Sequence, residues 1–180
     1  MKKTMNSKSA KMTNPTILLL ITALLTALIT GLFYAYSCSI NPGLGRLPDQ
    51  EYLAAMQSIN KAILNPVFFA SFMGTLILLP ISTWLHYGQP DSSRFILLLI
   101  ATLFYAIGTF GVTMFGNVPL NDTLANFDLK SASPESILTQ RKNFEARWNN
   151  LHTIRTLASL VSLVLVLIAC LTPPVKNITE

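Results

Sequence analysis

Residues 17–33 read ILLLITALLTALITGLF, and the charge-free interval around them extends from Asn14 to Asn41. At about 1.5 Å rise per residue, a helix of that length matches the ~30 Å hydrocarbon core of a bilayer. Three more intervals lack any Asp, Glu, Lys or Arg: Asn65 to Trp84, Phe95 to Gly116, and Thr156 to Thr172. Across the chain 51% of residues are hydrophobic and 12% charged, about half the charged fraction usual in a globular domain. The expected fold is therefore all-α, a transmembrane four-helix bundle with short amphipathic helices in the two long loops on one face. Its spans are expected at about 16–38, 65–85, 95–116 and 149–172, giving a membrane domain over 16–172 between a basic N-terminal tail, 1–15, and a C-terminal tail, 173–180.

The lysines at 2, 3, 8 and 11 precede the first apolar run as they would in a signal peptide, but the run continues into Gly31-Leu-Phe-Tyr-Ala-Tyr36. That exceeds an h-region of about 7–15 residues, so an uncleaved anchor is expected. Four of the thirteen basic residues lie in this tail. The net charge of +5 is thus read as a topology and lipid-headgroup signal, with no nucleic-acid partner. It favours a multi-pass protein of a bacterial inner membrane with both termini cytoplasmic. Cys38 and Cys170 end the first and fourth spans, on opposite faces, too far apart for a disulfide; they read as small apolar fillers.

Along the first span Thr22, Thr26 and Thr30 recur every four residues beside Ala23 and Ala27, a small-residue stripe for helix packing. Asn41-Pro-Gly-Leu-Gly45 is expected to end that helix. Asp49 is a plausible N-cap for a loop helix whose apolar face carries Leu53, Met56, Ile59 and Ile63. Asn65-Pro66 opens the second span, and Pro80 is expected to bend it. Gly88-Gln-Pro-Asp-Ser-Ser93 makes a tight connection to a third span ending at Gly116-Asn-Val-Pro-Leu-Asn121. Ser133-Pro134-Glu135 starts the last helix, which runs so far toward Pro173-Pro174 that it must project from the bilayer or break near Asn149-Asn150.

Polar residues gather at the face opposite the termini: Tyr34, Tyr36, Ser37 and Asn41; Gln57, Asn60 and Asn65; Asn117 and Asn121; Trp148, Asn149, His152 and Arg155. Trp148, His152 and Arg155 share one helical face, extended by Thr156, Ser159 and Ser162. An arginine here either snorkels to the interface or faces the bundle interior with a partner such as Asn117, Asn121 or Asp122. His152 reads equally as a hydrogen-bonded structural residue, and the Asn-Pro corners as ordinary helix ends. Three such corners on one face fit a polar pocket. His86 lies at the opposite face, which excludes a bis-imidazole haem. No span holds a carboxylate and no Cys/His cluster occurs, so neither a metal nor a cofactor is expected. A transporter is disfavoured for want of a coupling-ion site and an inverted repeat.

Gly31-Leu-Phe-Tyr-Ala-Tyr36 leading to Asn41-Pro42, Met56-Gln57 and Asn60 before Asn65-Pro66, Asn117-Val-Pro-Leu-Asn121, and Trp148 with His152, Arg155 and Thr156 resemble the anthrone oxygenase-like family of small four-helix membrane proteins over about 16–172. Most bacterial members of that family have no assigned function. The resemblance implies a fungal branch that oxidises polyketide anthrones to anthraquinones with molecular oxygen and no evident cofactor. It further implies His152 as base, Arg155 with Asn117 or Asn121 holding an enolate oxygen, and Trp148 and Tyr34 lining a flat apolar pocket, with Asn41, Asn60 and Asn65 as further binding residues. The alternative is a non-catalytic bundle that binds a lipid or a partner membrane protein.

Overall fold

The computed structural model describes residues 14–88 and 93–172. The basic tail with its lysines, the 89–92 connection and Pro173-Pro174 lie outside the described residues. Five helices make up the fold: α1 (Asn14–Leu44), α2 (Asp49–Ala62), α3 (Pro66–Leu85), α4 (Ser93–Ala125) and α5 (Pro134–Leu171). No strand occurs among the described residues. All but α2 are long and apolar enough to cross a membrane. They close a ring in which α1 packs on α3 and α5, and α4 packs on the same two, as expected of antiparallel neighbours in a bundle.

The interior combines an apolar core, with Leu19, Ile29, Phe72, Leu79, Leu98 and Val166, and small hydroxyl residues, while large apolar side chains also cover the outside. Thr22, Thr26, Thr75, Thr109, Ser159 and Ser162 are fully buried, whereas Leu24, Leu28, Ile77, Ile107, Leu157 and Val164 are 50–68% exposed. Lipid tails satisfy the outer leucines, and apart from that of Thr75 the interior hydroxyls bond one another or the backbone. Thr22 and Ser82 meet at 2.9 Å, Thr30 donates to the Ser159 carbonyl at 3.2 Å, and Ser162 to that of Ala101 at 3.0 Å. The threonine stripe of α1 is thus its packing face, except that Ala27 is exposed.

Small residues set the closest approach. A Cβ on Gly108 would stand 2.5 Å from the Ala158 Cβ, so α4 and α5 touch only because Gly108 has none. Gly108→Ala is expected to destabilise the bundle by about 2 kcal/mol through overpacking. Ala158→Gly in the same chain should restore most of that loss, as read from unfolding in mixed micelles. A double variant no more stable than Gly108→Ala would place the strain elsewhere.

Two helices continue where the sequence predicts ends. In α1 the Asn41 N–H reaches back five residues to the Tyr36 carbonyl, and in α4 the Val118 N–H reaches back to Thr113. These are π turns, and α4 is π-helical over Phe104–Gly111 as well. In a regular α-helix the rings of Pro42 and Pro119 would meet the carbonyl four residues back. The wide turn just upstream moves those carbonyls aside, so the helices run on to Leu44 and Ala125.

The N-termini follow the expected chemistry in two of three cases. Asn65 Oδ1 accepts from the Phe68 N–H at 3.0 Å with Pro66 behind it, and Ser133 Oγ accepts from Ser136 N–H at 3.2 Å. At α2 the flanking residue is Pro48, and Asp49 is already helical. The Asp49 carboxylate is instead drawn to Arg141, 2.9 Å away. The last helix does not break at Asn149-Asn150: its 38 residues run for about 57 Å. Its first half packs Ile137, Phe144 and Trp148 against Tyr52, Leu53 and Met56 of α2 and Leu124 of α4. A second small core therefore caps the bundle. At the opposite end Arg94 donates to the Ala169 carbonyl at 3.0 Å and to that of Thr172, covering acceptors that the end of α5 leaves open.

Candidate functional site

Where the two cores meet, α5 presents Trp148, His152 and Arg155 inward, all buried. The Trp148 and His152 rings stack at 5.1 Å and 9°. The Arg155 guanidinium lies 4.5 Å over the Phe33 ring and 5.1 Å from that of Trp148. It donates through Nε and Nη2 to His152 Nδ1, at 3.2 and 3.1 Å, and through Nη1 to Thr113 Oγ1 at 3.4 Å. A guanidinium only donates, so Nδ1 accepts and the imidazole proton sits on Nε2. That nitrogen lies 3.2 Å from the Phe33 carbonyl, 3.0 Å from Ser37 Oγ and 3.3 Å from Thr156 Oγ1.

The ion pairs among the described residues are Arg141–Asp49 and Arg141–Glu145. Arg155 therefore carries its charge inside the protein with aromatic faces and neutral acceptors around it, and without a carboxylate within 4 Å. Asn121 Oδ1 accepts from the Trp148 indole at 2.8 Å, and Asn117 Nδ2 donates to the Trp148 carbonyl at 3.2 Å. The first bond fixes the indole, whose face walls a cavity, and the second holds the α5 backbone at Trp148 against α4.

That cavity, about 430 Å³ in volume, lies between the membrane bundle and α2. Leu32, Phe33, Phe68 and Val118 give it apolar walls, with Trp148, Arg155 and Thr113 on one side and Asn60, Gln57 and Tyr36 among the polar positions. Lys61 and Asp122, both exposed, also line it. Asn60 Nδ2 and Asn117 Oδ1 are buried without a hydrogen-bond partner. Gln57 Nε2 donates to the carbonyls of Leu124 and Phe127, at 2.8 and 2.9 Å, tying the roof helix α2 to the end of α4.

Of the residues expected from sequence, Trp148, Arg155, Asn121 and Asn60 line this cavity. His152 and Asn117 are buried outside its lining, each bonded to residues that form it. Tyr34 is 60% exposed, Asn41 is half-buried outside the lining, and Asn65 uses its side chain to cap α3. Asp122 makes no ion pair with Arg155. Thr113 and Phe33 sit in apolar runs with no polar pattern to assign them a role, and the π turn that follows Val112 fixes which face Thr113 presents. His86 is at the far end of α3, its Nδ1 2.7 Å from the Ser82 carbonyl.

No curated protein and no solved structure matches the chain. The family model described as Anthrone oxygenase matches residues 66–165, a stretch containing α3, α4 and the Trp148, His152 and Arg155 face of α5. It covers 100 of the 180 residues, and on that match the chain belongs to the anthrone oxygenase family.

Proposed function

We propose that the cavity beneath α2 binds an apolar, enolisable aromatic molecule and that the protein oxidises it with dioxygen. The observation carrying this reading is a buried guanidinium, itself without a carboxylate of the described residues within 4 Å, on the lining of a largely apolar cavity. Loss of a proton from an activated CH₂ gives an enolate, and a fixed cation at its oxygen stabilises that charge most where water is excluded. The enolate carbon passes its electron pair to dioxygen and, with one proton, forms a hydroperoxide. Loss of water then leaves a carbonyl where the CH₂ stood, so one O₂ is consumed and one H₂O released per quinone. Asp122, a carboxylate on the cavity lining and exposed to water, receives the first proton.

His152 serves in this reading as a positioning residue and not as the base expected from sequence. Both ring nitrogens are engaged, one by Arg155 and one by the α1 backbone and hydroxyls, so neither is offered to the cavity. The N-terminal lysines put both termini in the cytoplasm and the cavity near the opposite surface.

Oxygen uptake tests the reading. Purified protein in nanodiscs is expected to accelerate O₂ consumption by 1,8-dihydroxyanthrone well above its spontaneous oxidation, with one quinone formed per O₂. Uptake equal to that of empty nanodiscs, across several enolisable phenols, would remove the oxygenase reading. It would favour a binding bundle without chemistry, for which the helix-to-helix hydrogen bonds of His152 also speak.

A further inference from the structure

The charge on Arg155 poses a question that family membership does not answer. A guanidinium has five N–H bonds, and three are directed at His152 and Thr113. One N–H on each Nη is left without an acceptor among the described residues. The side chain is 8% exposed, and a buried cation normally has a counter-ion. From α2, Asn60 supplies a second buried donor, Nδ2, that also lacks an acceptor and lines the same cavity. Two elements thus offer unanswered donors to one apolar space.

We propose that the cavity is built for an amphiphile carrying a single anionic oxygen group, which pairs with Arg155 while its apolar body lies against Leu32, Phe68 and Trp148. Charge-assisted bonds to a desolvated guanidinium favour such an anion over its neutral counterpart. Asp122, on the same lining, disfavours a second negative charge. The preference has a corollary: an ionised substrate is held and a neutral quinone product is released. The inference rests on the cavity being a ligand site, as in the reading above, but it does not require that chemistry follow.

Two dyes that differ by one sulfonate provide the test: 8-anilinonaphthalene-1-sulfonate and the neutral N-phenyl-1-naphthylamine. Trp84 is 74% exposed and stacks on Tyr87 away from the cavity; Trp84→Phe leaves Trp148 as the sole tryptophan. Energy transfer from Trp148 then reports occupancy of this cavity, with empty nanodiscs subtracted for partitioning into lipid. The sulfonate is expected to bind about tenfold tighter than the neutral dye. Arg155→Gln should erase that difference and Arg155→Lys should keep part of it. Should Arg155→Gln fail to fold, the comparison of the two dyes on Trp84→Phe protein decides alone. Displacement of the sulfonate by 2-naphthoate and not by laurate identifies a flat aromatic anion as the occupant, and the reverse identifies a lipid-derived acid. Equal affinity for the two dyes, or displacement by neither acid, overturns the proposal. Anion preference without oxygen uptake would leave this inference standing and remove the oxygenase; oxygen uptake without the preference would do the opposite.

Discussion

Arg155→Gln is expected to lower turnover of an anthrone about 10²- to 10³-fold, the loss typical when one fixed donor to a developing oxyanion is removed. Glutamine keeps a polar group near Thr113 and His152, so the fold loses less than it would to a leucine. His152→Ala is expected to lower kcat by about tenfold, because the guanidinium then loses the acceptor that two of its nitrogens share and wanders from its productive position. The two roles separate in the pH profile. An unperturbed histidine base would impose a limb on kcat/KM between about pH 5 and 8 that the alanine variant lacks. As a positioning residue, His152 changes the height of the profile and leaves its shape alone. Disappearance of such a limb in His152→Ala would return the base role to this residue. An Arg155→Gln enzyme that is stable and turns over within twofold of the parent would end the case for an oxyanion site here.

The membrane bundle was legible because a span leaves two marks that survive in one dimension, an uncharged stretch and its length. Loop helices showed through capping chemistry at Ser133 and through the spacing of Leu53 and Met56. The helix continuations past Pro42 and Pro119 were not legible, since proline announces a break and the π turn that absorbs it lies in the hydrogen-bond register of residues with no distinctive side chains. The same register fixes the face on which Thr113 lies, so spacing alone does not mark that threonine as a neighbour of Arg155. Spacing put Trp148, His152 and Arg155 on one face correctly. It could not say that His152 would turn both nitrogens toward the protein, because that depends on α1 carbonyls and hydroxyls more than a hundred residues away.

Arg141 is the other residue whose importance only the fold discloses, and Arg141→Ala is expected to remove about 3 kcal/mol of stability. Its guanidinium donates to the carbonyls of Gly45 and Leu47 at 2.9 and 2.7 Å, to Asp49 at 2.9 Å and to Glu145 at 2.7 Å. It also lies 4.4 Å over the Tyr52 ring. One side chain of α5 thereby holds the end of α1, the loop and the start of α2. The Glu145 bond is the main reason its pKa stands above the ordinary arginine value. The sign of that shift means a contribution fully present through neutral pH and lost only in strong base. Lysine cannot reach four acceptors with a planar fork, so Arg141→Lys should recover less than half of the loss. Lys142, the exposed neighbour, supplies the control, with Lys142→Ala changing stability by no more than about 0.5 kcal/mol. Because α2 carries Gln57 and Asn60 over the cavity, its release should be visible as faster amide exchange across residues 49–62, with slower exchange retained in α3. Unchanged exchange there, together with an unchanged unfolding midpoint, would mean that the apolar contacts of Leu53 and Met56 hold the roof without the arginine.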